Sequence, residues 1–319
     1  MKKFVVALVL LLLLCGCDAG KNFPVDPVVQ SSQPEESSAL KELTLCGERY
    51  PLDVPELVLN ESFSIEDAVQ LPYAENLESL SLSLSAAYMR EYGETALDFL
   101  AFCPSVKELT LHVNLNFDEF IPLEVLTRNE NLHALYLSGG AADLSVLSRC
   151  KGLKVLGLTG VQAELRGLAG MELDSLYLSG YQDISGLEGM KSLRYFCPGW
   201  AETGFASVAG LGITHLNLAD SGVTIRPIDI DHVLAIPTLE RLDFTDEALP
   251  DIARLAELEH LKTLCIWVGV QNAIAPGGET VTAENMVRLE DLDTPIPPEQ
   301  LQNFLQREGS SILLVRRWQ

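Results

Sequence analysis

The sequence predicts an α/β solenoid: a curved parallel β-sheet along a concave face, with short helical or 3-10 segments along the convex face. Three observations predict it. The first is a recurring spacing in which an apolar residue is followed by two variable residues, an apolar residue, one variable residue and another apolar residue. It stands at Val106/Leu109/Leu111, Leu132/Leu135/Leu137, Leu153/Leu156/Leu158, Leu173/Leu176/Leu178, Ile213/Leu216/Leu218, Leu239/Leu242/Phe244 and Leu261/Leu264/Ile266, with a weaker copy from Leu193. From Val106 the intervals are 26, 21, 20, 20, 20, 26 and 22 residues. The second is a row of apolar residues three apart before most of these copies, as in Leu144/Leu147/Cys150/Leu153 and Ile184/Leu187/Met190/Leu193. The third is that LYLSG occurs at 135–139 and again at 176–180, two intervals later. Fixed periods of this length mark a repeat architecture, and this spacing is that of a leucine-rich-repeat solenoid.

Each unit supplies one short strand whose two inward leucines cannot be buried alone, and stacked units make one continuous core. The three-residue spacing suits a 3-10 turn, where side chains at i and i+3 eclipse. The elements follow in chain order.

Lys2 and Lys3 precede an unbroken apolar run over 4–14, which reads as a signal peptide. The run is too short to cross a hydrocarbon core, which takes about 20 helical residues. Its end, Leu14-Cys15-Gly16-Cys17, resembles a bacterial lipobox, with an aliphatic residue at Leu14, a small residue at Gly16 and the acceptor cysteine at Cys17. The resemblance implies a lipoprotein held by its acyl chains on a membrane surface. Residues 17–39 then carry Pro, Ser, Asp and Glu without apolar periodicity and read as a disordered tether, about 25 Å in root-mean-square reach. The repeat domain is expected over 40–319.

Within it, Leu40/Leu43/Leu45 and Leu77/Leu80/Leu82 read as early repeats at stretched intervals of 37 and 29 residues. The segment 86–102 reads as an amphipathic helix on the convex side. At the other end, 296–309 has prolines at a helix start and a glycine at its close, and SILLV reads as a last strand. Both ends are expected to be caps.

The stretch DISGLEGMKSLRYF resembles the internalin-like repeats of bacterial surface proteins. That resemblance implies a cell-surface binding module. Two departures accompany it: Gly140, Val161, Tyr181 and Ser221 stand where the family has an asparagine, so irregular turns are expected; and the C-terminal LLVRRWQ has no sortase motif, which agrees with anchoring by lipid.

The formal charge is −23, with 45 acidic residues against 22 basic ones. Such a balance opposes nucleic acid and anionic headgroups, which recruit clustered Lys and Arg, and favours a basic or neutral partner. The five cysteines beyond Cys17 (Cys46, Cys103, Cys150, Cys197 and Cys265) lie in different repeats, too far apart for a disulfide framework. The five histidines are equally dispersed and no nucleophile, zinc or phosphate motif is present, so neither an enzyme nor a cofactor is expected. Asp229, Asp231 and His232 are the nearest approach to metal ligands, but Ile230 and Val233 between them belong to the buried row, so the polar groups simply point outward.

Side chains alternate along a strand, so the third, fifth and seventh positions of each repeat face the concave side. Tyr136 and Tyr177 are both fifth residues, separated by two strands with Gly157 between them. Two rings over a glycine gap define a slot for a flat or extended group, and Tyr195, His215 and Trp267 add to the same face. Aromatic residues on such a surface suit a binding site for a protein or peptide. A glycan stacking on Tyr136 and Tyr177 is the alternative ligand. Tyrosine filling a strand position for its β-propensity accounts for the same residues without any ligand. Pro198 takes an inward position and cannot donate to the ladder, so the strand is expected to stop or bulge there and displace Trp200.

Replacing Cys17 by Ser is expected to move the protein from the membrane fraction to the soluble fraction of lysed cells; unchanged fractionation would refute the lipobox.

Overall fold

The structure, a computed structural model, describes residues 41–116, 118–181, 183–199, 201, 203–219, 229–245, 252–268, 304, 306 and 310–316. The signal peptide, Cys17, the tether, Trp200 and most of the C-terminal helical segment lie outside the described residues.

Among the described residues, eleven strands form one parallel sheet in strict sequence order, each beside the one before it. They are β3 (Glu56–Leu59), β4 (Ser79–Leu84), β5 (Glu108–Val113), β6 (Ala134–Ser138), β7 (Val155–Thr159), β8 (Ser175–Ser179), β9 (Tyr195–Cys197), β10 (His215–Asn217), β11 (Arg241–Thr245), β12 (Thr263–Val268) and β13 (Ser311–Arg316). The register joins equivalent repeat positions throughout. Leu57, Leu80, Leu109, Leu135, Leu156, Leu176, Phe196, Leu216, Leu242, Leu264 and Ile312 lie side by side across the sheet. Those from Leu57 to Leu264 are 0–1% exposed and belong to a single apolar cluster that runs the length of the solenoid.

The convex side carries the three-residue rows as 3-10 segments, among them Leu123–Arg128, Leu144–Arg149, Leu165–Leu168 and Ile252–Glu257. One row forms a short α-helix instead, Ile230–Leu234, and the row from Ile184 runs through turns. Cys103 and Cys150 are buried in these rows, as their positions predict, and Asn129 takes the same place, its Nδ2 donating to the Val106 carbonyl at 2.9 Å.

Two readings of the N-terminal region need correction. Leu40/Leu43/Leu45 is not a repeat strand: β1 (Glu42–Leu45) pairs antiparallel with β2 (Glu48–Pro51). The chain reverses at Cys46 and Gly47, both with positive φ, a pair suited to a tight hairpin. Leu43 and Leu45 are nevertheless fully buried, so the hairpin closes the end of the core. It is held by Asp67, whose Oδ1 accepts from the Cys46 N–H at 2.8 Å, and by Gln70, which bonds both backbone groups of Thr44 at 2.9 Å. The first true repeat strand is β3, on Val54/Leu57/Leu59, which splits the 37-residue interval. The segment 86–102 is also not one helix. It breaks into Ala86–Tyr92, Gly93–Thr95 and Asp98–Phe102 because Gly93 sits at φ +54, outside the helical region.

At the strand starts the backbone bonding is regular. The carbonyl of Lys154, for example, accepts from the Asp174 and Ser175 N–H groups at 2.8 and 3.0 Å, and the same two-to-one arrangement recurs from Glu78 to Glu240. These bonds need no side chain. At Pro198 the expectation holds: β9 ends at Cys197, and β9 and β10 are the shortest strands of the sheet. At the other end, the expected last strand is β13, paired parallel with β12.

Leu156 is 0% exposed at the centre of the register. Leu156→Ala is expected to lower the unfolding free energy by about 2–5 kcal/mol in urea titrations, and a loss below about 0.5 kcal/mol would contradict the register.

Candidate functional site: the concave face

The parallel register lines up the outward residues as strictly as the inward ones. Fifth positions place Thr110, Tyr136, Gly157, Tyr177 and Cys197 in one row, and third positions place Ser175, Tyr195, His215 and Arg241 in the next. Tyr195 thus lies one row over from Tyr177, near enough for their rings to meet.

The four rings form a continuous strip. Centroids are 6.4 Å apart between Tyr136 and Tyr177, 4.8 Å between Tyr177 and Tyr195, and 4.5 Å between Tyr195 and His215, with interplanar angles of 51°, 34° and 77°. These are tilted and edge-on contacts of the kind the ring quadrupole favours.

No slot opens between Tyr136 and Tyr177. The Tyr136 ring leans across the strand and lies over Gly157, where an added Cβ would stand 2.5 Å from Tyr136 Cδ1. Gly157 is buried in consequence. The backbone separation of two strands predicted a gap, and the ring itself occupies it. The glycine's part is to admit the tyrosine.

Beyond Tyr195 the strip ends in a polar cluster that the sequence reading missed. Asn217 Nδ2 donates to the Tyr195 hydroxyl oxygen at 2.8 Å, and Asn217 Oδ1 accepts from the Ala219 N–H at 2.9 Å. Asp243, 5% exposed, receives Arg241 in two bonds of 2.7 and 3.0 Å, the bidentate geometry that makes such pairs strong. His215 Nε2 lies 3.1 Å from Asp243 Oδ2 without meeting hydrogen-bond geometry. The signal available was an Arg-x-Asp pair on outward positions of β11, beside a histidine at the third position of β10.

Burial shapes the chemistry of this region. It pushes the Tyr195 phenol far above its ordinary range, with Cys197 adding to the effect, and it raises Tyr136 as well. Both remain neutral hydroxyls that donate and accept. Cys265 is fully buried, its thiol pushed up to about 12 by burial and then by Asp243. Trp267, expected as a presented ring, is only 9% exposed.

The remaining polar candidates have structural partners. Asp229 caps the helix Ile230–Leu234 by accepting from the Asp231 N–H at 3.0 Å, Asp231 pairs with Arg254 at 2.7 Å, and the His232 ring stacks on Phe205 at 4.8 Å. Among the described residues no group of three His, Cys, Asp or Glu side chains is placed to hold a metal ion. Away from the concave face, an open groove of about 860 Å³ lies along the turns after β5, β6 and β7, between Phe120 and Gly167. Among the described residues no disulfide joins the cysteines.

A sheet of parallel strands in sequence order, with 3-10 rows on its back and one core through all repeats, defines a leucine-rich-repeat solenoid. Among solved structures it is similar to the internalin inlF of Listeria monocytogenes, at 20% identity over 69% of this chain and 78% of that one, with a TM-score of 0.44. It is also similar to the internalin C2 of the same organism (18%, 67% and 82%, TM-score 0.29) and to a leucine-rich-repeat protein of Leptospira interrogans (18%, 68% and 51%, TM-score 0.37). No family model and no curated protein matches the sequence.

Two outcomes test this geometry. Gly157→Ala is expected to cost about 1–3 kcal/mol by driving out the Tyr136 ring, with a matching change in tyrosine near-ultraviolet circular dichroism; in a Tyr136→Ser background the cost should fall by at least ~1 kcal/mol. Additive losses would mean the ring does not lie over the glycine. Alkylation of the native protein near pH 8, read by peptide mass spectrometry, should label partly exposed Cys46 and spare Cys103, pushed up to about 12 by burial, and Cys265 until denaturant is added.

Proposed function

We propose that this chain is an exported lipoprotein, anchored through Cys17 to the outer face of a bacterial membrane, whose leucine-rich-repeat domain holds a protein or peptide partner against its concave face. The observation that carries the binding reading is the strip Tyr136–Tyr177–Tyr195–His215. Its rings are fixed against one another, and Tyr195 is further held by Asn217. Aromatic side chains already ordered in the free protein lose little entropy on binding, which is the condition for a hot spot.

The tilt of the rings favours a protein over a glycan. Sugar stacking needs a flat ring face open to the ligand, whereas here each ring packs against the next at a tilt or edge-on. Binding rather than catalysis also fits a region whose acid, base and thiol groups are paired or buried. Export and anchoring rest on the N-terminal pattern of Lys2, Lys3, the apolar run and Cys17. No helix among the described residues is long and apolar enough to cross a membrane.

Crosslinking on intact cells tests the reading, with the native protein compared with Tyr136→Ala/Tyr177→Ala of verified fold. A protein partner captured by the native form and lost with the variant is the expected result. Equal capture by both would move binding off the concave face, and a Tyr177-dependent signal on envelope glycans alone would replace the protein by a sugar.

A further inference from the structure

The concave face does not share the charge of the protein. With 45 acidic against 22 basic residues, a random outward surface would be strongly negative. Yet the outward side chains from β4 to β10 are almost all neutral. β4 reads SLSLSL with its serines outward; β6 and β8 each present Tyr and Ser from a shared LYLS; β7 adds the exposed Thr159. Glu108 is the one carboxylate among these strands' outward positions, accompanied by His112 and His215. At the β11 side, Arg241 and Asp243 neutralise one another in a bidentate pair. Among the described residues, carboxylates such as Glu124, Asp143 and Glu164 lie on the convex 3-10 rows and at their caps.

We propose that the partner segment seated on this face is itself uncharged and polar, recognised by hydroxyl and amide groups and by ring edges rather than by ion pairs. The inference rests on the concave face being the binding surface, and it adds the chemistry of the ligand. A charged partner group brought against this face would lose its water without meeting a counter-charge, a cost that selects against it. Hydroxyls of Ser, Thr and Tyr both donate and accept, so they match the peptide groups and the Asn, Gln, Ser and Thr side chains of such a segment. Tyr, Ser, Asn and Gly are also the residues that antibody paratopes use to read varied polar surfaces. The acidic remainder of the molecule keeps the protein soluble and repels acidic neighbours without contributing to the contact.

The test uses the full chain and a phage-displayed library of random linear peptides, selected for binding to the native protein and counter-selected on Tyr136→Ala/Tyr177→Ala. Peptides that depend on the tyrosines should be poor in Lys, Arg, Asp and Glu, and their Kd should change less than about two-fold between ~50 and ~500 mM salt. A charge of either sign placed at exposed Thr159 should then weaken them, Thr159→Glu and Thr159→Lys alike, each by about five-fold or more. Tyrosine-dependent peptides rich in Lys and Arg, tightened by Thr159→Glu and loosened by Thr159→Lys, would overturn this inference and leave the concave binding face intact. Peptides that bind the native protein and the tyrosine variant equally, or a library that yields none, would overturn the concave reading and this inference with it.

Discussion

A strand of about five residues with two inward leucines has no way to bury them except against an identical strand beside it. That constraint organises the whole molecule. The inward columns stay in register from Leu57 to Ile312 across all eleven strands of the sheet, and the residues between them are forced outward into columns equally well aligned. Residues forty-one apart in the chain, Tyr136 and Tyr177, become near neighbours because each repeat advances the chain by one strand. The same constraint makes the ends distinctive: at the N-terminus a hairpin, turned back at Cys46 and clamped by Asp67 and Gln70, supplies Leu43 and Leu45 to a core that would otherwise be open.

The aromatic strip depends on one small residue. The β7 strand has Gly157 where its neighbours have tyrosine, and the absence of a side chain there lets the Tyr136 ring lie down toward Tyr177. Tyr195 continues the line from the adjacent row because β9 has Cys197 rather than an aromatic residue at its fifth position. Two exchanges of size along the outward rows therefore turn isolated tyrosines into a connected surface. Asn217 and the Arg241–Asp243 pair terminate it with satisfied polar groups, which holds the last rings in place.

Charge and contact are separated in this molecule. From β4 to β10 the outward side of the sheet carries mainly hydroxyls and rings, with Glu108 its one carboxylate, and the Arg241–Asp243 pair follows on β11.

The repeat spacing, the inward leucines, the 3-10 rows and the break at Pro198 were legible in the sequence because each depends on local periodicity or on the chemistry of one residue. The outward face was legible for the same reason, as strand alternation assigns it without knowledge of partners. What local pattern misreads is the direction of the chain and the lie of a side chain. Leu43 and Leu45 have the spacing of a repeat strand, and only the reversal at Cys46 and its anchoring twenty-one residues away make them a cap. Tyr136 over Gly157, the burial of Trp267 and the pairing of His215 with Asp243 are likewise contacts between repeats. They depend on rotamers and neighbours that periodicity does not encode, so only the stacked structure decides them.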